Sequence, residues 1–212
     1  MIIGNPSAWI VHFQAVHDKV FQAIKDVWPD CAKRFNAMSL ENAITDQLSL
    51  MLQKHPSSRS NWLVIPQYKL LASALKGDVV TKGYIDFVIF FNLDQEDYIA
   101  YECKRLNVHS PSGFKTLAGK YVDEGVQRFV YAQYAQGLPF GVMIGYVHDS
   151  NVPNALAAVT SQIEIKSAQL KCSNTPPVTL LSPISSITRF STSHSRLHGD
   201  IEIQHLLLPL RP

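Results

Sequence analysis

Apolar residues return every three to four positions at the start of the chain, at Phe13, Val16, Val20, Ile24 and Val27. This spacing predicts a helix over the first 35 residues, with Pro29 at its stop. A second stripe, Leu40, Ile44, Leu48, Met51 and Leu52, predicts a helix with Ser39 as N-cap. It should end near Lys54, before His55-Pro56 and the polar run Ser57-Ser58-Arg59-Ser60. β-Forming residues then dominate. Trp62 to Leu71, GYIDFVIFF (Gly83 to Phe91) and DYIAYECKRL (Asp97 to Leu106) read as strands, the last two joined by a polar hairpin loop at Asn92 to Glu96. Ser110-Pro111-Ser112-Gly113 breaks the chain. Helical spacing returns from Leu117 to Gln136 at Tyr121, Val122, Val126, Phe129, Val130 and Tyr134, with Gly137 as the C′ residue. FGVMIGYV, Phe140 to Val147, is the short apolar run of a strand covered on both faces. Pro153 to Leu170 reads as helix, followed by strands around Val178–Leu181, Thr188–Ser191 and Ile201–Leu208. The predicted class is α/β, with a mixed sheet flanked by helices.

Composition narrows the functional classes. The 212 residues suit one domain with a full core, here taken as 1–212. At 46% apolar and 17% charged, against about 25% charged in globular chains, general disorder and a coiled coil are excluded. No apolar run approaches the ~20 residues of a membrane span, so no membrane role is expected. MIIGNPSAWIVHFQ has no basic n-region, which argues against a secretory signal. Cys31, Cys103 and Cys172 are odd in number and widely spaced, giving neither a disulfide framework nor a zinc pattern. A reducing, cytoplasmic setting is the expectation. The net charge of +2 is compatible with nucleic-acid binding without indicating it.

The segment Gly83 to Leu106 carries the chemistry. An antiparallel hairpin with a loop of about six residues pairs Phe91 with roughly Tyr98 and sets Asp86 opposite residues 102 to 104. Glu102 and Lys104 share a face because side chains alternate along a strand. An even sum of opposed residue numbers puts Asp86 on that face too; an odd sum puts it behind. Two carboxylates and an ammonium among Ile, Phe, Val and Tyr need relief from burial. A Mg²⁺ ion provides it, since this hard cation takes one or two carboxylates. Lys104 beside the metal can orient a water and stabilise a pentavalent phosphate, which is the chemistry of phosphodiester hydrolysis. The plain alternative is a surface hairpin carrying a Glu–Lys or Asp–Lys pair.

With Asp86 on one strand, Glu102-Cys103-Lys104 on the next and Glu41 on the preceding helix, the stretch from Ser39 to Val147 resembles the PD-(D/E)XK nuclease superfamily. Ile85 stands where many members have proline. The resemblance implies a restriction-endonuclease-like αβββαβ core at about 39–147, with 1–38 a helical N-terminal extension and 148–212 a C-terminal helix and strands. It implies Mg²⁺, with Mn²⁺ able to substitute, held by Asp86, Glu102 and the backbone carbonyl of Cys103. Lys104 would position the attacking water, and Glu41 would be a ligand of a second metal or a carboxylate that supports the ligands of the first. Nucleic acid, DNA first, is the implied substrate, in microbial restriction, phage defence or mobile-element biology. A homodimer or partner protein would supply specificity. The competing readings are a catalytically inactive nuclease-fold subunit that binds nucleic acid or assembles, and a protein-interaction domain.

On the helix after the motif, Lys120, Gln127 and Arg128 are candidate phosphate contacts, ahead of Lys115 and with Gln133 nearby; Tyr121 and Tyr134 read as core. Arg189 to Arg196 is a second basic stretch, from which Arg196 is a candidate contact. GFKTLAGK fails as a phosphate loop, having five residues between its glycines and Tyr121 after the lysine. His12 and His17 lie about 140° apart round a helix and cannot share a metal. His194 and His198 could, if helical. Cys103 points away from Glu102 and Lys104 and reads as a buried thiol.

Overall fold

The computed structural model describes residues 6–73, 79–92, 97–182, 187–197 and 199–211. Helix α1 (Pro6–Ala32) runs through Pro29 instead of stopping there. Proline removes one helix hydrogen bond, but the last turn buries Trp28, Cys31 and Ala32, and the Trp28 indole donates to the Pro209 carbonyl at 2.8 Å. Helix α2 (Glu41–Lys54) begins after Leu40, with no side-chain cap. The expected N-cap, Ser39, is used elsewhere: its Oγ accepts the Asn36 amide hydrogen at 3.0 Å in the preceding turn. Leu40 consequently leaves the buried stripe and is 66% exposed.

A single turn, α3 (Ser58–Asn61), leads into β1 (Leu63–Ser73), β2 (Val79–Phe90) and β3 (Tyr98–Leu106). A small hairpin follows, β4 (Val108–Ser110) and β5 (Gly113–Lys115), turning at the Pro111-Ser112 break. The next helix has three parts: α4 (Ala118–Tyr121), a π-helical segment (Val122–Val126) and α5 (Gln127–Val130). Then come β6 (Phe140–Val147), α6 (Val152–Ile165), β7 (Val178–Leu180), β8 (Thr188–His194) and β9 (Ile201–Pro209). Residues 93–96 of the expected hairpin loop lie outside the described residues.

The helix after the motif stops at Val130, short of the expected Gln136. Residues 131–137 wind through tight turns in which Ala132, Ala135 and Gly137 all have positive φ. The winding carries Tyr134 under the helix end, where it is buried and its hydroxyl reaches the Tyr84 carbonyl.

The protein is α/β. A seven-stranded mixed sheet has the order β1-β2-β3-β6-β9-β8-β7, with β6 parallel to both β3 and β9. Helices α1 and α2 cover one face, where Trp28 stacks on Tyr146 and Phe13 meets Phe140. The helix of 118–130 and α6 cover the other. All eight residues of β6 are buried, as the apolar run predicts. Among the described residues no helix is long and apolar enough to cross a membrane.

Candidate functional site

Strands β2 and β3 are antiparallel, with Phe87 opposite Tyr101 and Phe90 opposite Tyr98, so each opposed pair has an even sum. This register puts Asp86, Glu102 and Lys104 on one face, the one covered by the helix of 118–130. The ladder ends at Phe87–Tyr101, where β2 peels away and leaves alternate amides of β3 facing outward. Two acidic side chains take them. Asp86 Oδ2 accepts the Cys103 amide hydrogen at 2.6 Å, and Glu41 Oε2 accepts that of Arg105 at 2.9 Å. Glu41 stands in the first turn of α2, where the helix dipole also favours an anion.

Lys104 ties these groups together. Its ammonium lies 2.6 Å from Glu102 Oε1, 3.3 Å from Glu41 Oε1 and 2.9 Å from the Cys103 carbonyl. A second cation closes the cluster: Arg128 donates to the same Glu102 Oε1 at 2.9 Å and to the Tyr134 hydroxyl. Glu102 is fully buried, and its other oxygen, Oε2, has no hydrogen-bond partner. Burial, then the Asp86 charge, push the Glu102 carboxyl up to about 7 against the pull of Lys104 and Arg128. Burial likewise raises Asp86, with Lys104 and the Cys103 amide opposing. For Lys104 burial works toward neutrality, but the charges of Glu102, Glu41 and Asp86 outweigh it and hold the ammonium above its ordinary value.

A cleft of about 510 Å³ opens beside this cluster, lined by Glu41 and Lys104 together with Arg105, Lys115, Lys120 and Glu124. Lys120 is an exposed cation on this cleft, 4.0 Å from Glu124. Gln127 donates to Asp123 within its own helix. Arg128, expected as a phosphate contact, is engaged with Glu102 and the Tyr134 hydroxyl. Arg196, expected likewise, is engaged within the protein too. Its guanidinium donates to the Phe129, Ala135, Leu138 and Gly199 carbonyls, capping the turns that end the 118–130 helix. Arg189 likewise pairs with Asp18 and Gln204. Tyr134, Arg105 and Tyr84 join the site through tertiary contacts that have no sequence signal.

Cys103 faces the other side of the sheet, fully buried, and accepts from the Tyr146 hydroxyl at 3.3 Å. His194 lies on a strand, bonded to Thr192 and to the Leu170 carbonyl, so the helical His194–His198 pair does not form; His198 is outside the described residues. Among the described residues no three His, Cys, Asp or Glu side chains come together as a metal site. A Mg²⁺ ion requires only one or two carboxylates, the rest being water, carbonyl or phosphate oxygen. Asp86, the orphaned Glu102 Oε2 and the Cys103 carbonyl are such hard donors, so the residues fit that ion. No family model, curated protein or solved structure matches the chain.

Proposed function

We propose that the chain is a metal-dependent nuclease with a restriction-endonuclease-like core, hydrolysing phosphodiester bonds in nucleic acid, DNA first. The observation that carries this reading is the convergence of Asp86, Glu102 and Lys104 on one face beside a cationic cleft, with a buried carboxylate oxygen left unpartnered. The succession α2, β1, β2, β3, helix and parallel β6 supports the αβββαβ core.

Asp86, Glu102 and the Cys103 carbonyl would hold Mg²⁺ or Mn²⁺. Such an ion, when bound, supplies an acidified water and neutralises phosphate oxygen. Lys104 orients the water and steadies the charge that builds on the phosphate oxygens. Glu41 holds the Lys104 ammonium and the β3 edge, and so positions rather than reacts. Arg128 keeps Oε1 of Glu102 engaged, turning the free Oε2 toward its task. All three cysteines are free thiols, which supports a reducing cytoplasmic setting. A role in restriction or phage defence, with specificity supplied by a second copy or a partner protein, belongs to the same proposal.

The second reading is a non-catalytic subunit of the same fold. It draws on Lys104 and Arg128 together saturating Glu102 Oε1, as a structural ion-pair cluster would. One experiment separates the two: incubation with plasmid, single-stranded DNA and RNA in Mg²⁺, Mn²⁺ or EDTA. Metal-dependent cleavage that disappears in Lys104→Met supports the nuclease. Binding without cleavage of any of the three supports the subunit.

A further inference from the structure

The cleft beside the cluster has a second character that catalysis does not explain. One wall is apolar, formed by Met38, Leu40, Val108 and Leu117. Met38 and Leu40 are 71% and 66% exposed, unusual for large apolar groups next to a charged centre. Leu40 is displaced from the α2 stripe onto this wall because the helix starts one residue later than its pattern suggests. At the mouth, the β4–β5 hairpin presents the exposed His109 ring packed on Phe114, with centroids 5.1 Å apart. The same lining is also cationic. Among the described residues, Arg105 and Lys115 have no acidic partner, and Lys120 has only Glu124 at 4.0 Å.

We propose, resting on the nuclease reading above, that this cleft receives an unpaired nucleotide, so that the protein's ligand is single-stranded nucleic acid or a single-stranded end. The volume of about 510 Å³ lies within the ~300–1,000 Å³ range of sites that enclose small ligands. In a duplex the base faces are stacked on one another and cannot reach an apolar wall. A base from a single strand can lie against Leu40 and Met38, while its phosphates meet Arg105, Lys115 and Lys120. Sequence-tolerant single-strand binding arises where bases stack on aromatic side chains beside a cationic groove, and here the His109–Phe114 pair of the β4–β5 hairpin supplies rings beside the aliphatic surface of Leu40 and Met38. The positive charge also opposes a basic peptide as occupant.

The test is fluorescence anisotropy of a labelled oligonucleotide, single-stranded or annealed to its complement, with Ca²⁺ in place of Mg²⁺. The expected result is tighter binding of the single strand. Leu40→Glu should weaken that binding at least about tenfold, and Lys115→Ala should weaken it more modestly, in line with base stacking and phosphate contacts. Both sites are exposed, and unchanged thermal melting checks that the variants fold. Equal affinity for single strand and duplex, absent binding, or a Leu40→Glu variant that binds the single strand as wild type does, each overturns the cleft assignment. Cleavage in Mg²⁺ is scored separately. Single-strand binding lost in Leu40→Glu, with no cleavage by wild type, sinks the nuclease and leaves the cleft. Cleavage that Leu40→Glu does not alter sinks the cleft and leaves the nuclease.

Discussion

Asp86 accepts the amide hydrogen of Cys103 at 2.6 Å, across the point where β2 and β3 cease to pair. One side chain thus replaces a missing ladder bond and is aimed along the edge of β3 toward Glu102. Glu41 does the same two residues further on, at Arg105. The acidic groups of the site therefore have a structural task, the satisfaction of edge amides, that is independent of any chemistry. Substitutions must be chosen so that the two tasks come apart.

Asp86→Asn keeps an oxygen for the Cys103 amide and removes the charge; Asp86→Ala removes both. On the nuclease reading, each lowers Mg²⁺-dependent cleavage by roughly 10²–10³, the usual loss on deleting one charge-stabilising catalytic group. Lys104→Met falls in the same range. Stability should divide them: Asp86→Ala leaves a buried donor unpaired and loses about 1–3 kcal/mol, while Asp86→Asn melts near wild type. A folded Asp86→Asn that cleaves as wild type does would remove Asp86 from the chemistry.

Buried histidines, His17, His194 and His205 foremost, set a pH dependence of folding. Burial, then Arg189, hold His17 well below the ordinary imidazole value; burial, then His194, do the same for His205; burial lowers His194 itself. Below about pH 6.5 the unfolded chain takes up protons that these folded imidazoles refuse, so stability falls as pH drops through that value. Glu102 pulls the other way. Its folded value is raised from 4.5 to about 7, so it opposes folding increasingly as pH rises through that interval. Urea denaturation across this range should show net loss toward acid in wild type and a steeper loss in Glu102→Gln. A stability that rises toward acid in Glu102→Gln contradicts the assignment of neutral buried histidines.

Close approach of helix and sheet depends on Gly141. A Cβ built there would lie 2.5 Å from Cε1 and 2.6 Å from Cδ1 of the Phe129 ring, which is itself buried. Gly141→Ala must push α5 off β6, and overpacking of this kind removes about 1–3 kcal/mol. At Gly125 the obstructing atoms belong to the flexible Met143 side chain, which can swing aside, so Gly125→Ala should be milder. Thermal melts in which Gly125→Ala is the more damaging would refute this ranking.

Much of this was legible before any coordinates. Period-two strands and a polar loop located the β2–β3 hairpin, and parity confined the question to whether Asp86 shares a face with Glu102. The observed register answers it. Arg128 was not legible, because extrapolating 3.6-residue spacing from Tyr121 assumes a regular helix. The π segment of Val122–Val126 advances everything after it by roughly one residue's turn, ~100°, and brings Arg128 to Glu102. Arg196 was equally hidden, since its Ala135 and Leu138 carbonyl partners lie in the turns that follow the early helix end at Val130. The start of α2 was misplaced because a serine near a helix start bonds whichever amide its turn presents, and here that amide belongs to Asn36.

Lys120 and Arg128 make the sharpest contrast for binding. Lys120 is an exposed cation at the rim of the cleft, and among the described residues its only ion pair is loose, 4.0 Å to Glu124. Removing it should therefore lose one phosphate contact. The log–log dependence of affinity on salt should become shallower by about 0.7 on a single strand, or about 0.9 on duplex DNA. Arg128 is committed to Glu102 and the Tyr134 hydroxyl, with only part of its head in water. Arg128→Ala should leave the salt slope unchanged and act on folding. It strips a charged partner from a fully buried carboxylate that still keeps Lys104, a loss on the order of 1–3 kcal/mol. Titrations at several salt concentrations in Ca²⁺, paired with urea denaturation, read both quantities on the same proteins. A shallower slope in Arg128→Ala with unaltered stability would return this arginine to the substrate backbone and undo the clamp described above.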